Sequence, residues 1–409
     1  MTKILSNKSN IDLDYPICRP SLDLDFTQER LDPRITFSRG SIGTRVNRNR
    51  LIETVSANQP RFDFDPVTGE CKGLLIEESR SNLLTYSEDF SNASWARNNQ
   101  NINTNVITAP DGTLTADKLI TINAATFHDL FKTPNLSSNT YTLSIFAKAA
   151  EQNLMRLRID DGIIGRNTIF NLTTGSVSSN TNVTSSTITP YSNGWYRCSI
   201  TVTTNIINLV FNTPYPYSGD GTSGIYIWGA QLEAGAFPTS YIPTTASTVT
   251  RSADNADMTG TNFSSWYNSS EGTIYTQVKS IATISGITRR FLEFVNGSGT
   301  ERYLLGYSTT SNTRFLVTAL GVNQADISVT ASPSNGVKMC VSYATNNFSS
   351  AVNGTLGTRD VAGLVSNPIR ITFGSDPFLG ANTILSGTIS RLTYYPRALK
   401  PNQLQFLTQ

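Results

Sequence analysis

The chain carries one histidine, His128, in the stretch TFHDLFKT. Any Ser-His-Asp or Cys-His mechanism would have to use it, since such chemistry needs a base that titrates near neutrality beside the nucleophile. Its neighbour Asp129 points to the opposite face if this stretch is a strand, so an ordinary structural histidine is expected. One histidine and four scattered cysteines, Cys18, Cys71, Cys198 and Cys340, are a poor source for the three protein ligands of a hydrolytic zinc. The cysteines form no CxxC pair, which disfavours a zinc ribbon or a disulfide framework. Cys198 and Cys340 lie in apolar strand patterns and read as small buried hydrophobes.

Glycan cleavage needs two carboxylates facing one glycosidic bond at a set separation. Asp160 with Asp161, Asp220, Glu233, and Asp254 with Asp257 are the nominees, but none has a surrounding motif and each also reads as an acidic turn. Asp63, Asp65 and Glu70 lie around Pro66 and Gly69 of DPVTGE, where Pro and Gly preset a tight turn, the better reading than a hard-cation site. Sugar binding without cleavage has more support. Aromatic faces stack on sugar rings while amides and carboxylates select hydroxyl orientation. The segment TPYPYSGDGTSG from Thr213 puts Tyr215 and Tyr217 beside Asp220 on a Pro- and Gly-rich loop, the candidate glycan contact; loop packing or a subunit interface is the alternative.

The elements that must position these residues are strands. YTLSIFAKA puts Tyr141, Leu143 and Ile145 on one face, and LMRLRID sets Met155, Leu157 and Ile159 against Arg156, Arg158 and Asp160. GWYRCSITVT aligns Tyr196, Cys198, Ile200 and Val202. GIYIWGAQLEAG is apolar on both faces, as a central strand covered on each side would be. EGTIYTQVK alternates Ile274, Thr276 and Val278 with Tyr275, Gln277 and Lys279. Leu404 and Leu407 suit a short closing helix. The chain is predicted to be all-β: an N-terminal hairpin-rich module over 1–80, a β-sandwich (jelly roll) over 81–250, a polar linker over 251–260 containing RSADNAD, and a second sandwich over 261–409.

At 409 residues the chain is long for one core. Charged residues make up only 15% of it, against roughly a quarter in soluble domains, and Ser, Thr and Asn fill the polar positions. A net charge of +2 supplies no broad field for nucleic acid or an anionic membrane. No Gly-rich phosphate loop, basic aromatic stripe or heptad is visible, and no apolar run approaches the roughly 20 residues that span a bilayer. No nucleic-acid partner and no membrane insertion are expected.

Four separated pieces, Ser21 to Phe26, Thr36 to Arg39, Pro60 to Asp63 before DPVTGE, and Gly73 to Trp95, occur in the order found in the N-terminal module of tailed-bacteriophage virion proteins, cyanophages included. This region closely resembles that module. NLLTYSEDFSNASW, GWYRCSITVT, GIYIWGAQLEAG and SYIPTT resemble the carbohydrate-binding-like jelly rolls of phage structural proteins. RFLEFVNGSGTERYLLGY, VKMCVSYATNNFSSAVNGT and GTISRLTYYPRALKPNQLQFL resemble a laminin-G or concanavalin-like lectin domain.

These resemblances imply a virion structural protein, most simply a tail fibre or baseplate-associated adhesin. It would be made in the host cytoplasm, join other virion proteins through its N-terminal module, recognise host-surface polysaccharide and assemble as a homotrimer. A capsid decoration or head-fibre protein and a glycan depolymerase are the alternatives; a non-enzymatic role is the expectation. Similar jelly rolls often hold a structural calcium, which implies Glu233 with Asp160 and Asp161 as ligands. Here, however, QLEAG has a glutamate where related modules commonly carry an aspartate-bearing strand. No other cofactor is implied.

Overall fold

The computed structural model describes residue 16 and residues 18–123, 126–214, 218–280, 288–308, 312–330, 336–375 and 383–409. Within these the chain is all-β, with four sheets of six to eight strands and two short two-stranded ribbons. No helix among the described residues is long and apolar enough to cross a membrane.

One sandwich is built from the middle of the chain. Its first sheet runs in the order Ser185–Pro190, Tyr196–Ile206, Leu136–Ala149, Gly224–Ala234, Ala116–Thr121, Gln100–Ile107. The second runs Ser176–Thr181, Gly165–Asn171, Leu154–Asp160, Asn208–Asn212, Asp129–Lys132, Ala96–Asn98. The expected alternation is realised: Met155, Leu157 and Ile159 are fully buried, and Arg156, Arg158 and Asp160 face partly outward. They pack with Leu143, Ile145, Cys198, Ile200 and Val202 in one core, and burial pushes the Cys198 thiol well up.

The strand Gly224–Ala234 is covered on both faces, as its composition suggests. Ile225, Ile227, Ala230 and Leu232 enter the sandwich core, whereas Trp228 joins Phe146, Trp195 and Tyr241 in a smaller cluster with Ile52. The change of phase falls at Gly229, whose φ of 64° is cheap only without a Cβ. The neighbouring strand shifts register between Ser144 and Phe146. This bulge keeps apolar residues inside while turning Trp228 outward, towards the rest of the molecule.

The other sandwich joins the two ends of the chain. One sheet runs Thr355–Leu356, Asn347–Val352, Val337–Ala344, Glu271–Ser280, Gly387–Tyr395, Cys71–Ile76, Phe62–Phe64, with Leu22–Asp25 also on Gly387–Tyr395. The facing sheet runs Thr36–Ser38, Asn255–Thr259, Arg370–Phe373, Arg289–Val295, Arg302–Tyr307, Asn312–Ala319, Val322–Thr330. Ile274, Thr276 and Val278 point into its core and Gln277 and Lys279 away from it. The helix Pro401–Thr408 closes one side, with Leu404 packed on Cys340, Ala351 and Leu399.

The expected division of the chain needs two corrections. The described residues of the segment 1–80 do not form a module of their own, because Leu22 and Leu24 stand opposite Tyr394 and Leu392, and Leu74 and Ile76 opposite Ile389 and Gly387. Two N-terminal strands thus share one edge of a C-terminal strand, and Thr36–Ser38 extends the facing sheet. Nor is 251–260 a linker. Val249–Arg251 pairs with Arg80–Asn82, and Asn255–Thr259 lies between Thr36–Ser38 and Arg370–Phe373. The middle sandwich is therefore an insertion, and the strands leading out to it and back from it pair as a stem.

Candidate functional site

At the stem, charge is buried. Arg39, Arg61, Arg80, Arg251 and Arg289 meet Glu77, Glu78 and Asp254, and none of the eight is more than 8% exposed. Buried ions are tolerated only where hydrogen bonds replace water. Glu77 accepts from Arg61 at 2.8 Å, from Arg251, and from the Ser240 N–H and hydroxyl at 2.7 Å each. Asp254 accepts from Arg39 at 3.1 Å, from Arg61, and from the Glu77 N–H at 2.9 Å. Glu78 holds Arg80 and Arg289, whose guanidiniums also lie 4.9 and 5.3 Å from the Phe237 ring. Burial alone would raise the Glu77 carboxyl; the Arg251 and Arg61 charges and the Ser240 bonds outweigh it and hold its pKa at about 2.

Beside this network a cleft of about 430 Å³ opens between the sandwiches. Ser185, Thr187, Thr189, Ser199 and Thr201 form one wall, on the outer face of the strands Ser185–Pro190 and Tyr196–Ile206. Asp63, Asp65, Lys72, Lys279 and Thr388 of the joined-ends sandwich form the other, with Tyr191, Arg197 and Tyr241 between. Interfaces between domains are favoured places for ligand sites, and hydroxyls, the aromatic residues Tyr191, Phe237 and Tyr241 and both signs of charge suit a polyhydroxylated ligand.

Local structure sets each group. Tyr191 follows Pro190 and precedes a turn in which Asn193 and Gly194 adopt φ of 58° and 76°. Its N–H donates to the Trp195 carbonyl at 2.7 Å, Ser192 donates to the Arg50 carbonyl at 3.1 Å, and its ring lies edge-on to Phe146 at 5.0 Å. Burial raises the Tyr191 hydroxyl pKa, so the group stays neutral at physiological pH. Arg197 donates to the Thr239 carbonyl at 2.6 Å and the Ser144 hydroxyl at 3.0 Å, with its guanidinium 5.4 Å from the Phe146 ring. Lys72 pairs with Asp63; burial opposes its charge, but Asp63 prevails and raises its pKa.

The residues singled out in the sequence have other tasks. Tyr215 and Tyr217 lie outside the described residues. Asp220 accepts from the N–H groups of Thr222 and Ser223 at 2.8 and 2.7 Å and from the Ser223 hydroxyl, which hold its carboxyl far below the usual range and brace its own loop. The three calcium nominees are not brought together. Asp160 pairs with Arg158 at 2.8 Å, and Asp161 accepts from the Ile163 and Ile164 N–H groups and from Arg166 and Thr204. Glu233, in the opposite sheet, is fully buried and accepts from the Thr239 N–H at 3.0 Å and its hydroxyl at 2.5 Å. Glu233 thus steadies the residue whose carbonyl holds Arg197. Among the described residues, no three His, Cys, Asp or Glu side chains converge as a metal site.

The Nδ1–H of His128, a buried residue, donates to the Asn99 carbonyl at 2.7 Å, and Asp129 accepts from Asn212. Asp65 accepts from the Val67 and Thr68 N–H groups, as a turn residue does, and Asp254 sits in the ion network. Tyr191 and Arg197 were missed by sequence reasoning. TPYSNGW has the same signature of an aromatic among Pro and Gly that drew attention to Tyr215 and Tyr217.

No family model and no curated protein matches the chain. Among solved structures it is similar to the CBM40 domain of Ruminococcus gnavus IT-sialidase bound to α2,3-sialyllactose, at 15% identity over 35% of this chain and 84% of that one, with a TM-score of 0.31. It is similar also to the receptor-binding domain of botulinum neurotoxin mosaic serotype C/D, at 12% identity over 38% and 39%, with a TM-score of 0.30. A third similarity is to the native heptameric SAP-like pentraxin of Limulus polyphemus, at 13% identity over 34% and 70%, with a TM-score of 0.28.

Proposed function

We propose that the protein is a structural component of a tailed-bacteriophage particle, a tail fibre or baseplate-associated adhesin, that binds host-surface glycan in the cleft between its sandwiches without cleaving it. The observation that carries the glycan reading is the cleft itself: Ser and Thr hydroxyls of one sandwich, ionic groups of the other and the aromatic residues Tyr191, Phe237 and Tyr241 line a single cavity. Hydroxyls and charges select sugar orientation and an aromatic edge supplies apolar contact. The virion reading is supported by the four ordered N-terminal pieces, and attachment to other virion proteins is assigned to that same N-terminal segment. Binding rather than cleavage is supported by five of the nominated carboxylates: Asp160, Asp161, Asp220 and Asp254 are each engaged with a turn or an arginine, and Glu233 accepts from Thr239.

Weak single sites gain avidity when several copies are linked, which fits a homotrimer. Labelling the protein on purified virions tests the placement. Label at the tail or baseplate is expected, and label confined to the capsid shell would favour a decoration or head-fibre role. Mass measurement at micromolar concentration tests the trimer, and a stable monomer would count against it.

A further inference from the structure

We infer that the glycan is an acidic polysaccharide, held along a track that runs from Arg197 past Lys72 and Lys279 to Lys338 and Arg391. This rests on the glycan reading above and adds the class of glycan. The cleft does not end at the sandwich junction: a groove of about 590 Å³ on the outer face of the joined-ends sandwich shares Lys72, Lys279 and Thr388 with it. Together the two form one path, longer than a single sugar needs and suited to a chain.

Two cations of this path, Arg197 and Lys279, have no carboxylate partner among the described residues, whereas Lys72 and Arg391 pair with Asp63 and Asp23. Arg197 is only 8% exposed, its Nε has no hydrogen-bond partner, and no carboxylate pairs with it among the described residues. A buried guanidinium without a counter-charge is costly, and its planar fork matches a carboxylate. Lys279 is exposed and has no ion-pair partner among the described residues. Lys338 donates to the Gln409 carbonyl, and Arg391 pairs with Asp23 at 2.9 Å where both side chains are over 40% exposed, a contact that a ligand can replace. The carboxylates along the path are already engaged: Asp25 by Thr27, Asp63 by Lys72 and Val46, Asp65 by its turn, and Glu77 by Arg61 and Arg251. Thr187 and Thr189 beside this charge suit sugar hydroxyls better than nucleic-acid bases, which call for a series of stacking aromatics.

The test is equilibrium binding of the full chain to a panel of uronate polysaccharides, polygalacturonate, alginate and hyaluronate, each beside its carboxyl-reduced neutral counterpart and single-stranded DNA. At least one acidic form is expected to bind about tenfold tighter than its neutral counterpart, and the exposed-site variant Lys279→Ser to lose several-fold of that preference. Arg197→Gln is expected to abolish the preference; if it does not fold, Lys279→Ser decides. Equal binding of acidic and reduced forms would overturn the inference and leave the glycan reading standing. Binding of no polysaccharide of either kind would end both. DNA binding as tight as the acidic glycan would overturn the inference in favour of an unselective anion surface.

Discussion

Arg61 and Asp254, 193 positions apart in the chain, form an ion pair in which neither side chain touches solvent. Arg61 directly precedes the strand Phe62–Phe64, and Asp254 directly precedes the strand Asn255–Thr259, just past the stem strand Val249–Arg251. The pair therefore fixes the N-terminal strands and the returning chain at one point, and the cleft walls with them.

Removing Asp254 would strip Arg39 of its carboxylate and leave Arg61 with Glu77 alone. Breaking one side of a buried pair leaves an uncompensated charge, and Asp254→Ala is expected to cost about 3–5 kcal/mol in denaturant unfolding. An unchanged unfolding midpoint would mean that the pair does not hold the stem.

Acid should loosen the same network. The Glu77 pKa is near 2 in the folded protein against an ordinary 4.5. A carboxyl depressed by folding contributes stability that is present above its unfolded pKa and lost as pH falls through the folded one. The interval amounts to roughly 3 kcal/mol. Urea midpoints measured between pH 6 and pH 2 should fall for the wild type and fall less for Glu77→Gln; parallel curves would contradict this.

Asp117 behaves in the opposite sense. Burial, and secondarily the nearby Asp89, push its carboxyl up to about 6 despite N–H bonds from Asn105 and Phe90. With its folded pKa above the unfolded one, its contribution to stability is present below about pH 4 and lost as pH rises through 6. Carbon NMR titration of this carboxyl should show a midpoint near 6, and a midpoint near 4 would refute the assignment.

Gly73 tests the seating of the N-terminal strands. With φ at +100°, an added Cβ would lie 2.2 Å from the Ile389 carbonyl oxygen, which is backbone and cannot swing aside. Gly73→Ala is expected to destabilise the protein by about 3 kcal/mol or more. Thermal melting within a degree or two of the wild type would argue against the Leu74 and Ile389 pairing.

Local patterns were legible because their cause is local. The period-2 alternation through Met155, Leu157 and Ile159, the two-sided apolar run through Trp228, and the Leu404 helix each report burial of residues close in sequence. The path of the chain was not. The contact between Asp23 and Thr393 spans 370 positions, and nothing around either residue marks the other. Likewise RSADNAD read as a solvated linker because charge is usually solvated, yet Arg251 and Asp254 find their partners in Glu77 and Arg61, far earlier in the chain. Of the candidate site, Asp63 and Asp65 were noticed around a tight turn, which Asp65 does brace, but not as part of a cleft wall. The cleft was not legible at all, since it exists only once the insertion packs against the joined ends.

The most direct measurement is binding of host-surface polysaccharide to the intact protein and to Tyr191→Ala, with the glycan's chain length followed during incubation. The wild type should bind, the variant should lose about tenfold in affinity at a temperature where circular dichroism shows it folded, and the chain length should stay constant. Equal binding by the variant would contradict a glycan site in the cleft, and shortening of the glycan would make the protein a depolymerase instead of an adhesin.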